Sequence, residues 1–298
     1  MKGISRIPWG SIAPLLSFLL LTHSACADNI YVSVGVILKF DSNGNESTFA
    51  NSGLDIPEGL AFDGSGNLYV ANAGNNTIEE FNATGSGSVF AAASSGLSFP
   101  VSVAFDASGN LFVANAGNST IEEFGTNGTG TTFASAASGL DIPEGLAFDS
   151  SGNLYVANYN DTILKFSSTG SGTVFTASNL NNPMGLAFDS SGNLYVANAG
   201  NNTIEKFNPS GSGTLFSNTN VLFEPEGLAF DNSGNLYVAN RRSTGSILEF
   251  NQEGDMSVFA SGFGDPTYLL DQIPEPSSLL LTALGAVSLV AFLRRKRT

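Results

Sequence analysis

The stretch GLAFDSSGNLYVANAGNNTIEKF, residues 185–207, decides how the rest of the chain folds. Its short apolar runs alternate with turns marked by Gly, Asn and Ser, which is typical of β-strands joined by hairpins. Close variants of it recur along the chain, aligned by Asp63, Asp106, Asp149, Asp189 and Asp231. Their spacings of 43, 43, 40 and 42 residues indicate a repeat architecture.

One repeat unit contains four short strands and no helical periodicity. In the first complete unit these strands are predicted at residues 59–63, 67–72, 77–82 and 88–93, with tight turns between them. Four strands per unit of this length form the blade of a propeller. The sequence therefore predicts an all-β fold, a β-propeller of four-stranded antiparallel blades.

The repeat motif also resembles a known family. The motif resembles the NHL repeat and the wider SMP-30/gluconolactonase-like propellers. The residues that carry this resemblance are Pro, Gly, Leu, Ala, Phe, Asp, Gly, Asn, Leu, Tyr, Val, Ala and Asn, followed by Asn and Ile. The resemblance extends over residues 28–271. It implies the propeller fold, whereas function has to be argued from the site.

The blade number follows from the two ends of the repeat region. Residues 28–50 supply the second to fourth strands of a unit, and residues 265–271 supply only a first strand. We therefore expect six blades, the last closed between N- and C-terminal strands, because an open blade would expose an unpaired edge. The predicted blades cover residues 57–93, 100–135, 143–176, 183–217 and 225–260, and 266–271 together with 28–50.

The first 27 residues resemble a secretory signal peptide. A basic start, an apolar run at residues 12–21 and the small residues Ala25 to Ala27 fit such a signal, with Asp28 as the expected mature start. Cys26 also raises the alternative of a lipoprotein, but His23 stands where that signal has Leu, which favours simple cleavage.

Residues 273–298 resemble the PEP-CTERM sorting signal of Gram-negative bacteria. A Pro-Glu-Pro motif precedes an apolar run at residues 277–293, which is long enough for a transmembrane helix in a thin bilayer. A basic cluster follows the run and marks the cytoplasmic side. The motif and cluster residues are Pro274, Glu275, Pro276, Arg294, Arg295, Lys296 and Arg297. The resemblance implies export, transient anchoring in the inner membrane, processing by an exosortase-type enzyme, and a place at the cell surface or in the extracellular matrix near polysaccharide.

The body between these signals, predicted as one propeller domain at residues 28–272, is strongly acidic. Five basic residues face 25 acidic ones, a net charge of −20. This charge excludes nucleic acid as a partner and favours cations or neutral sugars. The single His and the single Cys both lie in the signal peptide, so Ser-His-Asp, Cys-His and ordinary zinc sites are excluded from the mature body. We assign no catalytic residue and no organic cofactor.

The strongest site signal lies just before each first strand. Successive blades have there Glu58, Val101, Glu144, Met184, Glu226 and Thr267. Because first strands line the channel of a propeller, the three Glu should converge at one mouth. This arrangement suggests calcium as a candidate ligand, while duplication of a two-blade ancestor explains the same alternation without any ligand.

Two further repeated features favour structural roles. The Asp-x-x-Gly-Asn segments fit hairpin turns better than calcium loops. Asn72 and its copies Asn115, Asn158, Asn198 and Asn240 are expected to cap loops through their side chains, with ligand contact as the alternative.

The function predicted from these features is that of a secreted, surface-sorted binding or scaffold protein in the exopolysaccharide or cell-envelope layer. Its partners would be an extracellular polysaccharide or a surface protein. The alternative is a calcium-dependent lactonase or similar hydrolase of the SMP-30/gluconolactonase type, in which Glu58, Glu144 or Glu226 and an Asn such as Asn72 would hold the metal. Near-identical blades favour binding, because catalysis requires differentiated residues at one mouth.

Overall fold

The computed structural model of the chain describes residues 29–241, 245–264 and 266–272, with residues 271 and 272 described by their backbone alone. The signal peptide and the sorting signal, with the helix predicted in it, lie outside these residues. In the described residues no helix has the length and apolar character needed to cross a membrane.

The described residues form six four-stranded antiparallel sheets, each a blade. The inner strands are β4 (Pro57–Phe62), β8 (Pro100–Phe105), β12 (Pro143–Phe148), β16 (Pro183–Phe188), β20 (Pro225–Phe230) and β24 (Tyr268–Gln272). The second strands are β5 (Leu68–Asn72), β9 (Leu111–Asn115), β13 (Leu154–Asn158), β17 (Leu194–Asn198), β21 (Leu236–Asn240) and β1 (Asn29–Ser33).

The outer half of each blade has the same regularity. The third strands are β6 (Thr77–Phe81), β10 (Thr120–Phe124), β14 (Thr162–Phe166), β18 (Thr203–Phe207), β22 (Ser246–Phe250) and β2 (Ile37–Phe40). The outer strands are β7 (Gly87–Ala91), β11 (Gly130–Ala134), β15 (Gly172–Thr176), β19 (Gly213–Ser217), β23 (Met256–Ser261) and β3 (Glu46–Ala50). Short 3-10 turns at Ala93–Ser95 and Ala136–Ser138 lead from blades 1 and 2 into the next blade.

The inner strands contact one another in a closed ring, so the predicted six-bladed propeller is confirmed. Blades 1 to 5 run in chain order from β4 to β23, and blade 6 consists of β24 with β1, β2 and β3. In blade 6, β24 pairs antiparallel with β1, with Leu270 opposite Tyr31. The predicted closure between the two ends of the domain is therefore confirmed. β24 begins at Tyr268, two residues after Pro266, whereas the inner strands of blades 1 to 5 begin at the equivalent proline.

Aromatic rings hold neighbouring blades together. The ring of Tyr69, in the second strand of blade 1, lies 5.0 Å from Phe90 of its own outer strand and 5.0 Å from Phe105 of the next inner strand, both edge to face. This geometry adds attraction to the apolar area that the rings bury. The same trio recurs around Tyr31, Phe112, Tyr155 and Tyr195. At the border of blades 5 and 6, Tyr237 contacts Phe259, and Asp271 stands where the other inner strands have Phe.

A buried asparagine at the end of the second strand in blades 1 to 5 fixes the loop that leads into the inner strand of the same blade. Asn72 is fully buried, accepts a hydrogen bond from the N–H of Asp55 at 3.2 Å, and donates to the carbonyl of Gly53 at 2.9 Å and to Thr77 Oγ1 at 3.2 Å. Equivalent bonds are made by Asn115, Asn158, Asn198 and Asn240. These side chains therefore satisfy backbone groups and do not reach solvent.

The Asp-x-x-Gly-Asn segments form hairpin turns. In blade 3, Asp149 Oδ1 accepts the N–H groups of Ser151 and Asn153, both at 2.9 Å, and Gly152 adopts a left-handed φ of 80°. The carboxylate is thus occupied by its own turn, as the hairpin interpretation requires.

Removing the closing strand should destabilise the whole ring. A chain truncated after Gly264 loses β24, leaves β1 with an unpaired edge and uncovers the apolar face of blade 5. We expect its melting temperature to fall by about 10 °C or more, or the chain to aggregate. The matched control is truncation after Gln272, which keeps β24. Equal melting curves of the two truncated chains would show that the ends do not share a blade.

Replacing one buried asparagine should have a large local cost. Asn72→Ala leaves the N–H of Asp55 and the carbonyl of Gly53 without their side-chain partners, and we expect the free energy of unfolding to fall by about 3 kcal/mol in urea titrations. Asn127→Ala, in an exposed turn, is the control and should change it by less than about 1 kcal/mol. A similar loss of unfolding free energy in both variants would show that the buried amide of Asn72 stabilises the protein no more than an exposed turn residue does.

Candidate binding site at the channel mouth

The residues that begin the inner strands meet at one end of the channel. A cavity of about 170 Å³ is lined by residues from all six blades. They include the six positions identified in the sequence, Glu58, Val101, Glu144, Met184, Glu226 and Thr267. The structure thus brings together the three Glu that were proposed to converge.

An unusual backbone turn precedes the inner strand in blades 1 to 5. Ile56, Phe99 and Ile142, each directly before the proline of an inner strand, have left-handed φ values of 49°, 49° and 46°. This conformation is rare for large side chains, so the surrounding structure has to hold it. In blade 1 the carbonyl of Ile56 accepts the N–H of Ala73 at 3.0 Å, next to the loop bound by Asn72.

Burial raises the pKa values of all three carboxyl groups. The pKa of Glu144 rises to about 7, because of burial and then of repulsion from Glu58. Burial also raises the pKa of Glu226 to about 7, although Arg241 opposes this rise. The pKa of Glu58 is raised by burial, and a hydrogen bond from Thr267 and the charge of Arg241 work in the opposite direction.

One arginine supplies the positive charge at the mouth. Arg241 Nη1 donates to Glu226 Oε1 at 2.8 Å, and Glu226 is 7% exposed. Among the residues that the structure describes, Arg241 is the only basic one that lines the cavity. One guanidinium therefore faces three carboxyl groups.

The carboxyl groups at the mouth fit protons and a guanidinium better than a metal ion. Within residues 29–241, 245–264 and 266–272, no group of three or more His, Cys, Asp or Glu side chains is arranged to hold a metal. Arg241 already occupies one oxygen of Glu226. Calcium at Glu58, Glu144 and Glu226 stays a prediction, and we derive no reaction step from it.

Tyr268 separates the mouth from the rest of the channel. It lines both the mouth cavity and a larger cavity of about 640 Å³ below it. The other inner strands have Gly59, Ser102, Gly145, Gly185 and Gly227 at this register. The Tyr268 hydroxyl lies 3.4 Å from Ser102 Oγ, across the channel from its own strand. The lower cavity is lined mainly by apolar residues, among them a leucine or valine from each blade, so chemistry at the mouth is confined to one end.

Sequence reasoning missed Arg241, Tyr159 and Tyr268 as residues of this region. A signal for two of them exists, because the residue after each second-strand asparagine is Ala73, Ala116, Tyr159, Ala199 and Arg241 in blades 1 to 5. Two blades depart from the alanine of the others, and such departures from repeat symmetry mark the places where blades differ in chemistry. Tyr268 is a similar departure, because the other inner strands have Gly or Ser at its position.

Comparison with known proteins supports the fold and the sorting signal. The NHL repeat family matches residues 180–207, and the PEP-CTERM protein-sorting motif matches residues 272–297. No curated protein has a matching sequence.

Several solved structures share the fold at low sequence identity. One chain of a nidogen/laminin complex is similar with a TM-score of 0.72 and 19% identity, over 83% of this chain and 98% of that one. A gluconolactonase from Xanthomonas campestris gives 0.62 and 18%, over 71% and 78%. Virginiamycin B lyase from Staphylococcus aureus gives 0.57 and 16%, over 68% and 69%.

These similarities extend over most of the propeller, but at such identities they establish the fold alone. The repeat match, the sorting motif and the closed ring of six sheets agree with one another. The chain is therefore a six-bladed β-propeller with a match to the NHL repeat at residues 180–207 and a PEP-CTERM protein-sorting motif at residues 272–297.

Proposed function

We propose that this protein is an exported, surface-sorted binding module that attaches through its channel mouth to a component of the exopolysaccharide or cell-envelope layer. The sorting motif at residues 272–297 indicates export and surface sorting. Exosortase-type processing would release the body from the membrane at this motif.

The observation that carries the proposal is the composition of the mouth. Three largely buried carboxyl groups, one arginine and several apolar side chains converge in a cavity of about 170 Å³ that is open to solvent. Convergent polar groups in an apolar depression are typical of ligand sites. The repeated residues elsewhere in the blades pack against one another or form hydrogen bonds with the backbone groups of their own loops.

A hydrolase is the weaker alternative. Residues 28–298 contain no His or Cys, so the body offers no Ser-His or Cys-His pair. The gluconolactonase similarity favours a lactonase only at the level of fold. If Glu226 were the Glu that holds the metal of a calcium-dependent lactonase, its carboxylate would have to give up its ion pair with Arg241.

Surface retention tests the proposal. The wild-type chain expressed in its host should remain with the surface layer. The double variant Glu58→Gln with Glu144→Gln should release most of the protein into the medium, because it removes two ionisable carboxyl groups from the mouth and keeps the size of the side chains. Immunoblots of surface and medium fractions measure the ratio.

The matched control is Glu46→Gln with Glu253→Gln. Both glutamates are exposed and lie on an outer strand and in a hairpin turn away from the mouth. Equal retention of all three proteins would exclude the mouth as the attachment site.

Stability should fall as pH rises through the range in which the mouth ionises. Because the folded pKa of Glu144 is raised, its contribution to stability is full below its unfolded pKa of about 4.5 and is lost as pH rises through about 7. The loss amounts to about 3 kcal/mol. The melting temperature should therefore be higher at pH 5 than at pH 8, and Glu144→Gln should reduce the difference. Identical pH profiles of the two proteins would show that Glu144 is not desolvated.

Calcium provides the second arm of the same measurement. If the three Glu hold calcium, the ion should raise the melting temperature at pH 8, and Glu144→Gln should abolish the rise. If calcium leaves the melting temperature of both proteins unchanged, the metal site and the lactonase that depends on it are both excluded.

A further inference from the structure

Large apolar side chains are exposed around the mouth. Five of them, which we call the apolar rim, lie between 37% and 57% exposed: Ile56, Phe99, Ile142, Tyr159 and Phe223. Phe99 lines the cavity itself, and Phe223 lines an adjoining groove of about 390 Å³ that shares Glu226 and Arg241 with it. Ile56 and Ile142 occupy the same repeat position as Phe99, and the backbone N–H of Tyr159 donates to the carbonyl of Ile142 at 3.3 Å.

The rim differs from the other exposed apolar residues of the described chain. Val89, Val174, Leu215 and Val258 are also exposed, but each lies on the outer strand of a different blade. Single exposed apolar side chains are ordinary on protein surfaces, whereas several of them around one polar cavity are typical of an interaction site. The rim is therefore the surface on which a partner is expected.

The charge inside the rim identifies the kind of partner. In blade 5, Glu226 binds the guanidinium of Arg241 at 2.8 Å, which shows that a carboxylate at this register accepts a basic side chain. In blades 1 and 3, Glu58 and Glu144 occupy the same register, but Ala73 and Tyr159 replace the arginine. These two carboxyl groups lie open to the cavity and lack an equivalent basic residue from their own blade.

The size of the cavity fits a single cationic group. Its 170 Å³ equals several times the volume of about 30 Å³ that one water molecule takes up in the liquid. An ammonium or guanidinium group with a few waters fills such a space. Apolar residues next to that group would then lie on the rim, and the acidic body would attract a basic partner over a distance.

We propose that the channel mouth binds a segment of a partner protein. One lysine or arginine side chain of this segment lies in the cavity beside Glu58 and Glu144, and the apolar residues next to it in the segment lie against the rim. This inference rests on the proposed function and specifies its partner. A neutral glycan would donate hydroxyl hydrogen bonds to the carboxylates but would gain no charge attraction from them, whereas a basic side chain gains both.

A peptide pair tests the inference with the processed protein, purified from the surface fraction or, for released variants, from the medium. The probe is an acetylated and amidated fluorescent peptide, Leu-Leu-Arg-Leu-Leu, and its partner has citrulline in place of arginine, which keeps the shape and removes the charge. Fluorescence anisotropy should show the citrulline peptide binding about tenfold more weakly, and the difference should shrink at high salt.

Two double variants assign the binding to the mouth. Glu58→Gln with Glu144→Gln should weaken the arginine peptide about tenfold without changing the citrulline peptide, and Ile56→Ser with Phe99→Ser should weaken both peptides about threefold or more. The matched controls are Glu46→Gln with Glu253→Gln for charge, and Val89→Ser with Val174→Ser for apolar surface. Neither control should change the affinity.

The possible failures are distinguishable. Equal binding of the two peptides, equal effects of mouth and control variants, or no binding of the arginine peptide up to about 1 mM would overturn the docking of a basic segment. If surface retention still depends on Glu58 and Glu144 in that case, the mouth remains the attachment site for a ligand of another class, such as a glycan. If retention is also independent of them, the proposed function fails as well.

Discussion

The structure depends most on the buried amide at the end of the second strand in blades 1 to 5. Asn72 and its copies satisfy the backbone of the loop that passes over them, and that loop leads within a few residues to the inner strand. Without such a partner the loop would bury unpaired polar groups, which a protein interior tolerates poorly. The amide therefore fixes where Ile56 turns and where Glu58 enters the mouth. The same side chain serves the fold and, through it, the position of every residue proposed to bind.

Repetition and departures from it have different consequences in this molecule. The repeated residues build the ring and occupy their own hydrogen-bonding groups, as the Asp149 turn does. The departures occur at the mouth, where Arg241 and Tyr159 replace alanine and Tyr268 replaces a small residue. The result is a ring of equivalent positions with unequal charge. Carboxyl groups that burial drives towards the neutral form are at the same time the groups that gain most from a cation.

Most of the fold could be predicted from the sequence, because turn chemistry and a period near 42 residues repeat often enough to overcome local ambiguity. The closing strand was predictable because residues 265–271 lack the partners that every other first strand has. The mouth was predicted only in part. The three Glu follow from register alone, whereas the pairing of Arg241 with Glu226 and the exposure of Ile56 depend on side-chain directions in a tight, left-handed turn. A sequence pattern carries no information on those directions.

The direction of β24 has a consequence for how the protein is presented. This strand starts beside Thr267 at the mouth and runs along the channel to Gln272, about 16 Å further on. Gln272 pairs with Asn29, so both ends of the propeller lie at the base of the channel. The sorting motif begins at this base. Any attachment made through that motif therefore joins the propeller at the end of the channel opposite the mouth, and it leaves the mouth uncovered by the motif's own connection to the propeller.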